Sequence, residues 1–225
     1  MLFDFNGVLV HDEPVHWRAL REALAPLGLR ISWSRYRERY LMGDDATAIR
    51  RALADAGQPS PGAGEVARLV RAKRRAYRRR IGSRLRFEAG AARFVRGLEP
   101  GPLLAIVSSA TRSEIRAAVR ASSLARRFET VVSGDDVART KPHPDPYRTA
   151  LRALGVPARE ALAFEDSPGG IASARGAGLR VIGVSTSWGA AALRRAGASA
   201  VVARLGGLDA AAFAAEGRLR ARGSR

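Results

Sequence analysis

The sequence predicts an α/β protein, a doubly wound parallel sheet with an all-helical block inserted after the first strand. Three observations carry this. A short apolar run, Leu2-Phe3-Asp4-Phe5, opens the chain and delivers Asp4 and Asn6 into a glycine turn at Gly7. From residue 87 onward, apolar runs of strand length alternate with helical stretches, as in successive βαβ units. Between them, residues 13–86 show helical periodicity and almost no strand pattern.

The elements follow in order. Only three residues precede Asp4, so either the first strand is short or the sequence starts within it. Residues 14–27 and 44–56 read as amphipathic helices, and 63–82 as a third, strongly basic one. Ser32, in Ile31-Ser32-Trp33, caps a further helical turn. Gly57-Gln58-Pro59-Ser60-Pro61-Gly62 is a break. Then come helix 89–98, strand Leu103-Leu104-Ala105-Ile106-Val107, helix 111–121, strand Thr130-Val131-Val132 and helix 145–154. Strand Ala161-Leu162-Ala163-Phe164, helix 168–176, strand Val181-Ile182-Gly183-Val184, a short strand Ala200-Val201-Val202 and a terminal helix complete the pattern. The Arg-rich tail from Arg218 is expected to fray. The predicted domains are an α/β core of residues 1–12 and 87–225 and a helical domain of 13–86, positioned to cover the site.

Composition narrows the function. The 225 residues, 46% of them hydrophobic, can bury a substantial core. With no cysteine, disulfides and thiolate nucleophiles or metal sites are excluded. No long apolar run or signal peptide appears, so a cytoplasmic location, as a monomer or homodimer without a membrane role, is expected. The net charge of +18 invites a nucleic-acid reading. The 39 basic residues include only two lysines, Lys73 and Lys141, however, and such uniform arginine bias argues against nucleic acid as the main partner. The densest run, Arg71 to Arg80, retains the capacity to attract polyanions. Two lysines kept in so arginine-rich a chain mark places where a compact ammonium differs chemically from a guanidinium.

Four strand ends carry polar residues suited to one task. Asp4 ends the first, Ser108 follows Val107, Lys141 lies in Thr140-Lys141-Pro142-His143-Pro144-Asp145, and Glu165-Asp166 follow Phe164. The carboxyl ends of parallel strands are where such sheets bind ligands. Each residue has a plain structural reading: Ser108 as a helix cap, Lys141 as a solvated loop residue, Glu165-Asp166-Ser167-Pro168 as a capping segment. Together they match phosphoryl transfer. A carboxylate attacks phosphorus only when the opposing charge is neutralised, which a lysine and a divalent cation accomplish. Asp4 and Asp166 plus a backbone carbonyl are the hard oxygen ligands Mg²⁺ prefers, and Ser108 with nearby N–H groups would hold phosphate oxygens. Asn6 stands where a proton-transferring carboxylate would be expected.

In these residues the chain resembles the haloacid dehalogenase-like superfamily, in the subgroup of phosphoglycolate phosphatase and β-phosphoglucomutase with a helical cap after the first strand. The resemblance covers nearly the whole chain and rests on four ordered segments. They are Asp4-Phe5-Asn6-Gly7-Val8-Leu9-Val10-His11-Asp12-Glu13-Pro14, Ile106-Val107-Ser108-Ser109, Lys141-Pro142-His143-Pro144-Asp145-Pro146, and Phe164-Glu165-Asp166-Ser167-Pro168-Gly169-Gly170-Ile171. It implies a Rossmann-like core and a Mg²⁺-dependent phosphatase. Asp4 would be the nucleophile forming an aspartyl-phosphate, with Ser108 and Lys141 binding the phosphate. Asp4, the Asn6 carbonyl and Asp166 would ligate the metal, with Glu165 holding a metal-bound water. Gly43 resembles the substrate-specificity loop and Lys73 a substrate-directed cap lysine, with Ser109 and His16 as further substrate-binding candidates. The implied partner is a small phosphorylated metabolite.

The departure is at Asn6, where the family has an Asp that protonates the leaving oxygen and then activates water. A carboxamide does neither, and losing such a group typically costs about 10²–10⁴ in rate. The implied enzyme is therefore a phosphatase that is slow or dependent on a good leaving group. Alternatives are a catalytically impaired phosphometabolite-binding or regulatory protein, a phosphonoacetaldehyde hydrolase-like enzyme using Lys73, or a sugar-phosphate mutase. The last lacks its usual arginine in Gly43-Asp44-Asp45-Ala46.

Overall fold

The computed structural model describes residues 1–41, 45–81 and 87–214. The chain divides into two compact units, Met1–His11 with Leu85–Arg225, and Asp12–Arg84.

The first unit is an α/β fold built on a parallel sheet. Its strands are β1 (Leu2–Phe3), β2 (Ala105–Val107), β3 (Thr130–Val132), β4 (Leu162–Glu165), β5 (Arg180–Val184) and β6 (Ala200–Val202). They form one sheet in the order β3-β2-β1-β4-β5-β6. Every pairing is parallel. β1 is central, and successive strands are laid down first on one side of it and then on the other. The order therefore reverses at β1/β4, where open α/β sheets form a ligand crevice at the strand carboxyl ends.

Burial on both faces explains why the strands read as unbroken apolar runs. Phe3 stacks on Phe164 across the β1–β4 pair with ring centroids 4.9 Å apart, and Leu2, Phe3, Phe5 and Phe164 are fully buried. β1 has only two residues in regular pairing, but Asp4 N–H donates to Phe164 O at 2.9 Å, which extends the ladder to the site residue. Strands β2, β4 and β5 differ in their limits from the sequence reading, β5 by beginning one residue early at Arg180. β2 begins at Ala105, since Leu103 turns its carbonyl to the Met1 amine and is exposed. β4 begins one residue late because the Ala161 N–H closes a turn on Ala158 O. It also ends one residue late, so that Glu165 lies inside the sheet, paired with Gly183.

The covering helices are α5 (Ala89–Gly97), α6 (Arg112–Ala121), α7 (Asp145–Leu154), α8 (Pro168–Gly176) and α9 (Ala190–Arg195). A further helical stretch spans 210–214. The tail from Arg218 lies outside the described residues.

The second unit holds α1 (Glu13–Leu24), α2 (Trp33–Arg35), α3 (Asp45–Asp55) and α4 (Ala63–Ile81). Ser32 caps α2, accepting from Arg35 N–H at 3.1 Å as its position suggested. The chain then runs through a π-helical turn, Tyr36–Tyr40, that no sequence pattern announced. Leu20, Leu24, Ile49, Leu53 and Leu69 bring the helices onto a common apolar core.

Candidate active site

The site is assembled at the carboxyl ends of β1, β2 and β4 and on the loop leading to α7. Lys141 is its centre. The ammonium donates to Asp4 Oδ1 at 2.6 Å, to Glu165 Oε1 at 2.5 Å and to Val107 O at 2.8 Å. An ammonium has three N–H groups, so all are engaged. Lys141 is therefore no solvated loop residue, and the two acceptor carboxylates come from adjacent strands.

Glu165 is fully buried and Asp166 nearly so. One carboxylate oxygen from each of Asp4, Glu165 and Asp166 lies within 4.8 Å of the other two. Glu165 Oε1 also accepts from the Tyr147 hydroxyl at 2.7 Å, and Ser167 Oγ reaches Glu165 Oε2 at 3.4 Å. Asp166 Oδ2 accepts from the Ser187 hydroxyl.

These positions follow from local chemistry. After β4, Ser167 caps α8 by accepting from Gly170 N–H at 3.0 Å, with Pro168 at the first helical position where it forfeits no bond. That sharp start leaves Glu165 and Asp166 at the strand end. Gly7 is required opposite them: its φ is +79°, and a Cβ there would meet Asp166 Oδ2 at 1.8 Å. The turn is fixed by Gly7 N–H to Val10 O at 2.7 Å and by the Thr186 hydroxyl, which donates to Gly7 O.

Ser108 is buried at the end of β2. Its N–H donates to Val132 O at 2.9 Å, and its hydroxyl lies 3.4 Å from Asn6 Oδ1 while accepting from Ala110 N–H at 3.0 Å. It does not cap the following helix. Thr111 does, through a reciprocal capping box with Glu114. Ser109 is exposed beside it. Asp4, Asn6, Ser108, Lys141, Glu165 and Asp166 are thus brought to one end of the sheet.

Three buried carboxylates face one ammonium. Burial raises the Asp4 carboxyl most, Lys141 opposes this, and Glu165 raises it again, leaving it at about 7. Uncompensated buried charge is costly, and buried carboxylates are ordinarily paired or bound to a cation. All-oxygen donors of this density suit a hard divalent ion such as Mg²⁺. The donor set therefore fits the metal implied by the motifs.

The helical unit carries its own polar cluster. Lys73, buried on α4, pairs with Asp45 and lies 3.2 Å from His16 Nδ1. His16 Nε2 is 3.2 Å from Asp12 Oδ2, which accepts from Tyr77 OH at 2.5 Å. Burial and the Lys73 charge push His16 down, but Asp12 and Glu13 outweigh them and leave it raised. Lys73 and His16 are thus brought together; Gly43 lies outside the described residues.

Sequence reasoning missed Tyr147 and Ser187. Ser187 follows β5 at a fifth strand end, so the rule that found the others applied to it. Tyr147 sits on the apolar face of α7 with Pro146, Ala150 and Leu151 and carries no such signal.

Comparison with known proteins places this geometry in context. A family model described as haloacid dehalogenase-like hydrolase matches residues 1–184. Protein CbbY of Rhodobacter capsulatus is 37% identical over 191 residues, covering 81% of this chain and 83% of the relative. Fructose-1-phosphate phosphatase YqaB of Escherichia coli is 28% identical over 198 residues, covering 82% and 95%. Among solved structures, an Asp-to-Asn mutant of CbbY from Rhodobacter sphaeroides, in complex with xylulose-(1,5)bisphosphate, has a TM-score of 0.74 and 32% identity. It covers 92% of this chain and 94% of its own.

Proposed function

The chain belongs to the haloacid dehalogenase-like hydrolases and is a phosphatase of that family; from this premise we propose that it cleaves a small phosphorylated sugar with Mg²⁺, through a phosphoryl group carried on Asp4. The observation that carries the reading is the Lys141 bridge. One ammonium holds Asp4 and Glu165 together beside Asp166, pairing a nucleophile-type carboxylate with the positive charge that lets it approach a phosphate dianion. The sugar class is supported by the relatives, one named a fructose-1-phosphate phosphatase and one solved with a xylulose bisphosphate.

In this reading Asp4, Asp166 and the Asn6 carbonyl would hold the metal, with Glu165 holding a water bound to it, and the metal would neutralise phosphate charge. Asp4 attacks phosphorus. Ser108 and Lys141 bind the transferred phosphoryl oxygens, Lys141 exchanging one of its present acceptors for them. Tyr147 and Ser187 keep Glu165 and Asp166 aimed. Ser109, Lys73, His16 and Gly43 are the proposed contacts to the rest of the substrate. The residues 13–86 serve as the cap.

A screen of phosphate esters with Mg²⁺ tests this, run on the protein and on Asp4→Asn. Hydrolysis that depends on Asp4 supports it; equal activity in the two proteins overturns it. Asn6 specifically favours a second reading, a phosphometabolite-binding or regulatory protein that turns over poorly. Many turnovers per site in the same screen would exclude that one.

A further inference from the structure

The α/β unit holds a second polar cleft, at the carboxyl end of β6. It measures about 600 Å³, and its lining includes Glu88, Arg93, Arg204, Gly206 and Gly207. β6 is the edge strand, two places from β4 in the sheet order, a separation of roughly 10 Å at the usual strand spacing. None of the residues that meet at Lys141 lines it.

The sequence builds this cleft on the close approach of two glycines. The chain leaves β6 at Val202, and a short helical turn, Leu205–Gly207, follows, anchored by the buried Leu205. A Cβ on Gly90, in the first turn of α5, would meet Gly206 Cα at 2.9 Å, and one on Gly206 would meet Gly90 Cα at 2.7 Å. Glycine at both places lets the turn seat against α5. That contact brings Arg204, just before the turn, to the same cleft as Arg93 on α5.

Two guanidiniums line the cleft against one carboxylate. Arg93 has no hydrogen bond or ion pair among the described residues. Arg204 lies 3.8 Å from Glu88 Oε1 with its side chain 71% exposed, a loose, solvated pair that an incoming anion can displace at little cost. Both guanidiniums are therefore available, and their planar forks match the oxygens of a phosphate. Glu88 and the peptide carbonyls of the glycine turn can accept hydroxyl groups. The volume falls in the range of small-molecule pockets.

We propose that this cleft is a second ligand site, which holds a hydroxylated phosphate monoester of sugar size with its phosphate between Arg93 and Arg204. Binding there is non-covalent and does not depend on hydrolysis at Asp4.

Isothermal titration with glucose 6-phosphate and Mg²⁺ tests this on Asp4→Asn, which removes the nucleophile and keeps the probe intact. In that background Arg93→Gln and Arg204→Gln should each weaken one binding event by about tenfold or more, the loss of a charge-assisted contact, and leave any other event unchanged. Both side chains are exposed, so the fold is retained. Gly207→Tyr is a test without a charge change: no atom lies within 4 Å of a Cβ there, and the added ring should obstruct the cleft. Arg116 is exposed on α6 outside the cleft, and Arg116→Gln should leave all binding as it was. Absence of any binding, or a titration unaltered in Arg93→Gln, Arg204→Gln and Gly207→Tyr, would overturn the inference. Equal weakening in Arg116→Gln would do the same, by showing attraction to net charge alone. Gluconate binding as tightly as glucose 6-phosphate would overturn the assignment to a phosphate. Failure of the parent protein to hydrolyse any ester would sink the phosphatase reading and leave this site standing.

Discussion

Tyr147 donates its phenolic hydrogen bond to Glu165 Oε1, the same oxygen that receives Lys141. Its ring also lies beneath that lysine, with Nζ 5.1 Å from the ring centroid. One buried side chain thus steadies both members of the ion pair, by a hydrogen bond to the anion and a cation–π contact to the ammonium. Tyr147→Phe keeps the ring and removes the hydroxyl. It should destabilise the protein by about 1–3 kcal/mol, the range for a hydrogen bond to a buried charge, and lower kcat more than it raises KM. Urea unfolding and steady-state kinetics check this; an unchanged kcat would remove Tyr147 from the site's support.

Lys141→Met would leave Asp4 and Glu165 buried without their shared counter-charge. Breaking a buried pair by deleting one partner costs about 3–5 kcal/mol, so the midpoint of urea unfolding at neutral pH should fall sharply. Lys141→Arg should not restore activity. A planar guanidinium cannot meet three acceptors converging at 2.5 to 2.8 Å on one atom.

Much of this site was legible in sequence. Asp4, Ser108 and Glu165-Asp166 each end an apolar run, and in a parallel sheet every such end arrives at the same edge of the molecule. The paired acidic residues before Ser167-Pro168 announced both a strand end and a helix start, and both are present. Lys141 was marked by its rarity, yet nothing local foretells that it would bridge two strands, since its acceptors are 137 and 24 residues away. Tyr147 was hidden because its apolar body follows the helical period of α7; only the packed structure shows where its hydroxyl goes. In the helical unit, Lys73 stood out for the same reason as Lys141, while its partners Asp45 and His16 lie 28 and 57 residues away and left no pattern.

Gly7→Ala tests the turn between β1 and the carboxylates. The new Cβ would fall 1.8 Å from Asp166 Oδ2 and 2.8 Å from Ser187 Oγ, at a φ of +79° that disfavours any side chain. Asp166 must then move. The variant should lose Mg²⁺ affinity by about tenfold or more, in line with displacing the groups that aim a metal ligand, as measured by Mg²⁺ titration of thermal stability. A variant that retains the parent's Mg²⁺ response would show that Asp166 is not held by this turn.

The loop after β3 supplies a pH test away from the reacting carboxylates. Asp136 Oδ2 accepts from Ser133 N–H at 2.7 Å and from the Ser133 hydroxyl at 2.5 Å, and lies 2.6 Å from Arg112 Nη2 at the start of α6. Burial pushes this carboxyl up, but the Arg112 and Ser133 hydrogen bonds outweigh it and bring it from 3.8 to about 2. The depressed value sets the sign. The unfolded chain binds the proton first as the solution is acidified, so the stabilisation is complete above about 3.8 and is lost as the pH falls through about 2. Asp136→Asn should therefore cost about 1 kcal/mol at neutral pH, a modest figure because the pair is partly solvated. The gap between parent and variant should close between those two pH values while other acid effects, common to both proteins, cancel. Urea midpoints of the two proteins across the acid range measure the gap. A gap that stays constant down to pH 2 would mean that the ionised carboxylate is not what ties β3 to α6.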